Sequence, residues 1–108
     1  MAEPATDAPV LDLLKTMTAE SIEASSLDDE KLMLVRIAAL VAVDAPPSSY
    51  LLNIGVASDV GIDADQVQGV LAAVAPIVGT ARVASAGGNI VRALGFAEEL
   101  AEFETEQT

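Results

Sequence analysis

Between Leu32 and Val43 the chain reads LMLVRIAALVAV, and only Arg36 in that run is not apolar. At helical spacing the run has no polar face to turn to water, so a helix there is buried on most sides. The 108 residues make one domain, large enough for a core without a disulfide or a structural metal. Covering a helix on most sides within so small a domain is demanding, and the run therefore predicts cover from a neighbouring subunit. Hydrophobic residues are 52% of the chain but aromatic ones only 3%, so the core is built from Ala, Val, Leu and Ile. Small side chains bury little area each, at roughly 25 cal/mol per Å², which favours close helix approach and apolar faces shared between copies.

The rest of the chain falls into helices around that run. Residues 1–8 read as a disordered acidic lead. Pro9 suits a first helical turn, where its missing N–H costs nothing. Val10, Leu13, Leu14, Met17 and Ile22 then recur at helical spacing to about Ala24. The stretch SSLDDE (25–30) supplies caps and first-turn acids for the apolar run. Ala45-Pro46-Pro47 ends that helix, and Pro47 opens the next, which runs to about Val60 with Gly61 in the C-terminal cap position. Asp63 with Gln66 reads as a capping box for a fourth helix, closed or kinked by Pro76 and Gly79. A fifth follows from Thr80 to Leu94. Its small-residue stripe of Ala84, Gly87, Gly88 and Val91 predicts close helix approach, within a subunit or across an interface, since each glycine costs about 1 kcal/mol against Ala. Residues 96–108 carry Phe96, Leu100 and Phe103 on one face and acids opposite, as a separate short amphipathic helix or tail. The expected fold is all-α, with five to six helices and a helical domain over residues 9–95.

Composition removes several functions. Seventeen acidic against five basic residues give a net charge of −12, which opposes phosphate contacts, so no nucleic-acid or membrane partner is expected. The chain has no Cys, hence no thiolate nucleophile and no Cys-type metal site, and no His, the usual proton carrier near neutral pH and the commonest metal ligand. No cofactor and no metal are expected. The first ten residues lack a basic n-region and an apolar h-region, and the longest apolar run is far short of the roughly 20 residues a bilayer requires; the expectation is a cytoplasmic protein.

The middle of the chain resembles the carboxymuconolactone decarboxylase and alkylhydroperoxidase D-like family. The resemblance rests on LVRIAALVAV (34–43), a polar break, a helix ending in ASDVGIDADQV (57–67), and VLAAVAPIVG (70–79), similar in order and spacing to the family's AAL-x-x-G-x-(T/D)-x-x-(E/Q)-(I/V) and AP-x-x-G segments. It covers roughly residues 30–95, and it implies a small all-helical subunit that assembles into trimers, hexamers or larger rings. The family's peroxidase branch carries C-x-x-C-x-x-x-H at the start of the third helix and a Glu twelve residues earlier, and its decarboxylase branch keeps the His. Counting back eight residues from Gly61 places the His position at Asn53, the two Cys positions at Pro46 and Ser49, and the Glu at Leu34. Pro has no nucleophile, an unassisted Ser hydroxyl is a poor substitute for a thiolate, and Asn exchanges no proton at neutral pH. The resemblance implies the fold and the assembly rather than the activity.

Two readings of the polar break remain. In one, Arg36, Ser49, Tyr50 and Asn53 bind a small carboxylate or lactone, Arg36 holding the carboxylate and Tyr50 serving as a general acid of a lyase or isomerase. In the other, Ser48 and Ser49 cap a helix start, Tyr50 packs with its hydroxyl at the surface, and Arg36 pairs with an acid. The second agrees with a catalytically degenerate homo-oligomer acting through assembly, binding or scaffolding. Asp59, Asp63 and Asp65 are spaced loosely like a calcium loop but lack its terminal Glu, and read as caps. Arg82 and Arg92, ten residues apart, are expected to form ion pairs with acids of the same or a neighbouring subunit. Without Cys or His, the purified chain is expected to turn over no peroxide with a thiol reductant; a steady-state rate above the enzyme-free blank would contradict that.

Overall fold

The computed structural model describes residues 8–107, with side chains described for residues 8–95. Five α-helices follow one another: α1 Pro9–Ala24, α2 Asp29–Ala42, α3 Pro47–Asp59, α4 Ala64–Val78 and α5 Thr80–Gln107. Among the described residues there is no strand, and the fold is all-α. No described helix is long and apolar enough to cross a membrane. The acidic lead expected over residues 1–8 lies, up to Asp7, outside the described residues.

Local chemistry accounts for the helix starts. The Asp28 carboxylate accepts the Lys31 backbone N–H at 2.9 Å and caps α2. That N–H, which prefers a charged acceptor, holds the Asp28 carboxyl below the ordinary range. Asp63 and Gln66 form the reciprocal capping box at α4, with bonds of 2.9 and 3.1 Å. Gln66 then donates through Nε2 to Glu30 at 2.7 Å, which ties the start of α4 to the start of α2. The third helix differs from expectation, because its N-cap is Pro46 and no side chain caps it. Pro47 occupies the first turn, so one orphan N–H is missing by construction.

The core lies between α2, α3, α4 and α5. One cluster joins Val41, Ala45 and Tyr50 to Ala86, Ile90 and Ala93 of α5. A second joins Leu32, Met33 and Ile37 of α2 to Ala57 and Ile62. Val67 of α4 packs against both and makes them continuous. Apart from Tyr50, no residue with a polar side chain is buried among the described residues. The apolar run of α2 thus finds cover for one face within its own chain, through Leu32, Met33, Ile37 and Val41. Its outer face is not covered there: Val35 is 54% and Val43 68% exposed.

The end of α4 agrees with the sequence reading and the end of α5 does not. Of the two residues read as closing or kinking α4, Pro76 lies inside the helix, and Gly79, held at φ 94°, closes it after Val78. Residues 96–107 are not a separate helix, because α5 runs unbroken from Thr80 to Gln107. The amphipathic faces expected around Phe96, Leu100 and Phe103 lie outside the described side chains.

Within its own chain the small-residue stripe of α5 makes no close helix approach at its glycines. A Cβ added at Gly87 would meet nothing within 4 Å, and one at Gly88 would meet only the flexible Arg92 guanidinium at 3.5 Å. The close approach of α5 is made instead by Ala86 and Ala93, each 1% exposed. Gly87→Ala is therefore expected to stabilise the fold by about 1 kcal/mol through helix propensity. Chemical denaturation measures it, and a loss of stability would mean that another surface presses on this position.

Candidate functional site

The polar break begins where α2 ends, and a helix end exposes carbonyls that need donors. The Ala45 N–H donates to the Leu40 carbonyl at 3.0 Å and the Asp44 N–H to the Val41 carbonyl at 3.1 Å. This pair of bonds defines a Schellman turn, whose middle residue takes the left-handed conformation. Asp44 occupies it at φ 55°, the one positive φ of a non-glycine residue among those described. At the end of α3 the same turn uses Gly61 at φ 94°, with the Ile62 N–H bonded to the Ala57 carbonyl at 3.0 Å. A side chain in this conformation costs roughly 1–2 kcal/mol, less for Asp than for most residues.

What offsets that cost at Asp44 comes from α5. Ser85 Oγ donates to the Asp44 carboxylate at 2.6 Å, Asn89 Nδ2 donates to the Ala45 carbonyl at 3.1 Å, and the Arg82 guanidinium donates to the Ala42 carbonyl. Residues 82, 85 and 89 are three and four apart, so one face of α5 presents all three. Arg82 also places a positive charge at the negative end of the α2 dipole. Among the described residues no acid pairs with Arg82, which completes a clamp on the end of α2. Arg92 likewise bonds Asn89 Oδ1, at 2.9 Å, and orients it. The ion pair present among the described residues, Lys31 with Asp28 at 3.6 Å, lies within one helical turn.

Tyr50 sits under this clamp. It is 0% exposed, in contrast to the expected surface hydroxyl, and its Oη has no hydrogen-bond partner. Burial pushes its pKa above 10.0, and the nearby Asp44 charge adds to the shift. A hydroxyl so enclosed reaches no substrate.

The other candidate residues are dispersed. Asn53 Nδ2 donates to the Ser49 carbonyl at 2.8 Å, one turn back along α3. Arg36 Nη2 donates to Ser21 Oγ at 3.1 Å, the bond that ties α1 to α2. Arg36 and Asn53 border one groove of about 760 Å³ between α1 and the α2–α3 pair, while Ser49 and Tyr50 do not line it. Leu34 packs against the second core cluster, and Pro46 is exposed at the start of α3. A smaller hollow of about 480 Å³ lies between α3, α4 and α5, with Ile54, Leu71 and Ile90 in its walls. Among the described residues no group of three acids converges into a metal site.

The larger groove has an unusual charge. Its lining includes two of the five basic residues, Lys15 and Arg36, and, among the described side chains, no acid. The remaining walls are mostly aliphatic, with Leu11, Leu14, Ile22, Leu52 and Val56 among them. Helical spacing would have placed Leu11, Leu14 and Ile22 on one side of α1, but only the fold brings Arg36 opposite them. The clamp residues Ser85 and Asn89 were missed in the sequence, where their one signal is a polar spacing of four beside Arg82.

Comparison with family models, with curated proteins and with solved structures gives no match.

The enclosed hydroxyl gives a measurable consequence. The folded protein keeps the Tyr50 proton above the pH at which the unfolded chain loses it. The stability linked to that proton is intact below pH 10.0 and lost as pH rises from there. Because this is the chain's one Tyr, tyrosinate absorbance reports on it alone, and its midpoint is expected above 10.0 when folded and at the ordinary value in denaturant. Tyr50→Phe is expected to raise stability by about 1 kcal/mol, since it removes an unpaired buried polar atom. An equal loss would show that the hydroxyl has a partner.

Proposed function

We propose that this protein is a catalytically degenerate relative of the carboxymuconolactone decarboxylase and alkylhydroperoxidase D-like proteins, which acts by assembling with copies of itself and by binding rather than by turnover. The observation that carries the reading is α1. Every residue from Pro9 to Ala24 is exposed, and Val10, Leu11, Leu13, Leu14, Met17 and Ile22 are each 45–67% exposed. An isolated helix of about 12–15 residues is marginal in water and is normally held by packing of its apolar face. Covering the exposed half of each of these side chains is worth roughly 1 kcal/mol apiece. Val35, Val43, Leu52 and Ile77 extend the uncovered apolar surface to α2, α3 and α4, at 54–85% exposure. Surface of this kind marks an interaction site. The family resemblance supplies the form of the assembly, a trimer or a hexamer, and the acidic composition fits a cytoplasmic protein.

The alternative, a lyase or isomerase acting on a small carboxylate or lactone, draws support from Arg36 and Asn53 sharing a groove. Tyr50 is enclosed and Ser49 lies elsewhere, so the support extends to holding an anion and not to proton transfer.

Light scattering coupled to size exclusion is expected to give a mass at least three times the 11.0 kDa of the chain at micromolar concentration. A monomer under those conditions overturns the assembly reading.

A further inference from the structure

Resting on that assembly reading, we propose that the groove between α1 and the α2–α3 pair receives residues 96–107 of a second copy. The groove offers aliphatic walls and the cations Lys15 and Arg36, with no carboxylate among the described side chains, in a chain of net charge −12. Its complement is an acidic amphipathic helix, and the sequence contains one. In residues 96–107, FAEELAEFETEQ, Phe96, Leu100 and Phe103 are spaced four and three apart, on one side of a helix. Glu98, Glu99, Glu102, Glu104 and Glu106 fill the positions between and beyond them. The segment carries both phenylalanines of the chain, and aromatic side chains bury about 150–250 Å² each.

Length and continuity favour a second copy over the same chain. At 1.5 Å per residue the segment spans about 18 Å and α1 about 24 Å, so the groove accommodates it along one side of α1. The inner half of α5 is fixed in its own core by Ala86, Ile90 and Ala93. The helix then continues without a break to Gln107, and a continuous helix does not fold back onto its own subunit. Each copy has one groove and one segment, a donor and an acceptor surface. Such a pairing, passed head to tail from copy to copy, closes into a ring. The docked helix would cover the inner side of α1, the side that its own chain leaves exposed.

Because the chain contains no Cys, introduced thiols report without background. Leu14→Cys and Leu100→Cys chains, mixed under mild oxidation, are expected to form a disulfide between the two variants that neither forms alone. In the full chain, Phe103→Glu is expected to weaken self-association about tenfold or more, with unchanged helical circular dichroism. Arg36→Glu should weaken it in the same direction, by placing an acid in the groove. A wild-type oligomer whose mass is unaffected by Phe103→Glu, together with no mixed disulfide, overturns the docking and leaves the assembly reading standing. A monomeric wild type overturns both. A disulfide formed within single chains of the Leu14→Cys/Leu100→Cys double variant overturns the second copy as the donor.

Discussion

The row of Arg82, Ser85 and Asn89 on α5 holds the end of α2, and the arrangement of the core follows from it. A helix as apolar as α2 has to stop abruptly if α3 is to return beside it, and the stop leaves carbonyls and one left-handed residue to be stabilised. Hydrogen bonds from three consecutive turns of α5 meet that need at Ala42, Asp44 and Ala45. The same contact sets α5 at the distance where Ala86 and Ala93 close over Tyr50. Polar and apolar contacts therefore specify one docking of α5, and each would be poorer without the other.

Against this well-determined body, α1 stands apart. It shares a single side-chain bond with α2, from Arg36 to Ser21, and buries nothing. Elements with few buried contacts open at low free-energy cost and lend themselves to exchange between partners. The division between a closed four-helix body and an apolar arm is a division of stability as well as of shape. It leaves the apolar side chains of α1 uncovered while those of the body close over a core.

Much of this was legible in the sequence where the cause is local. Asp28 as a cap, the Asp63–Gln66 box and Gly61 as a turn residue each depend on a few neighbouring residues and appear as read. Gly79 closes α4 as read, with Pro76 three residues earlier inside the helix. The clamp is illegible because its partners are about forty residues apart in sequence, and nothing local marks Asp44 as left-handed. The candidate site was legible only in part. Arg36 and Asn53 do meet at one groove, whereas Tyr50 turned inward, since a ring in a chain so poor in aromatics is worth more in the core than at the surface.

Gly79 is the one residue between α4 and α5. A joint that short leaves no slack, so the two helices behave as the arms of an elbow rather than as independently tethered rods. Thr80 begins α5 immediately beyond it, and Arg82 lies within the first turn. The joint between α4 and α5 and the stop at the end of α2 therefore lie within one turn of each other along α5, so the same end of that helix carries both a corner of the chain and the clamp.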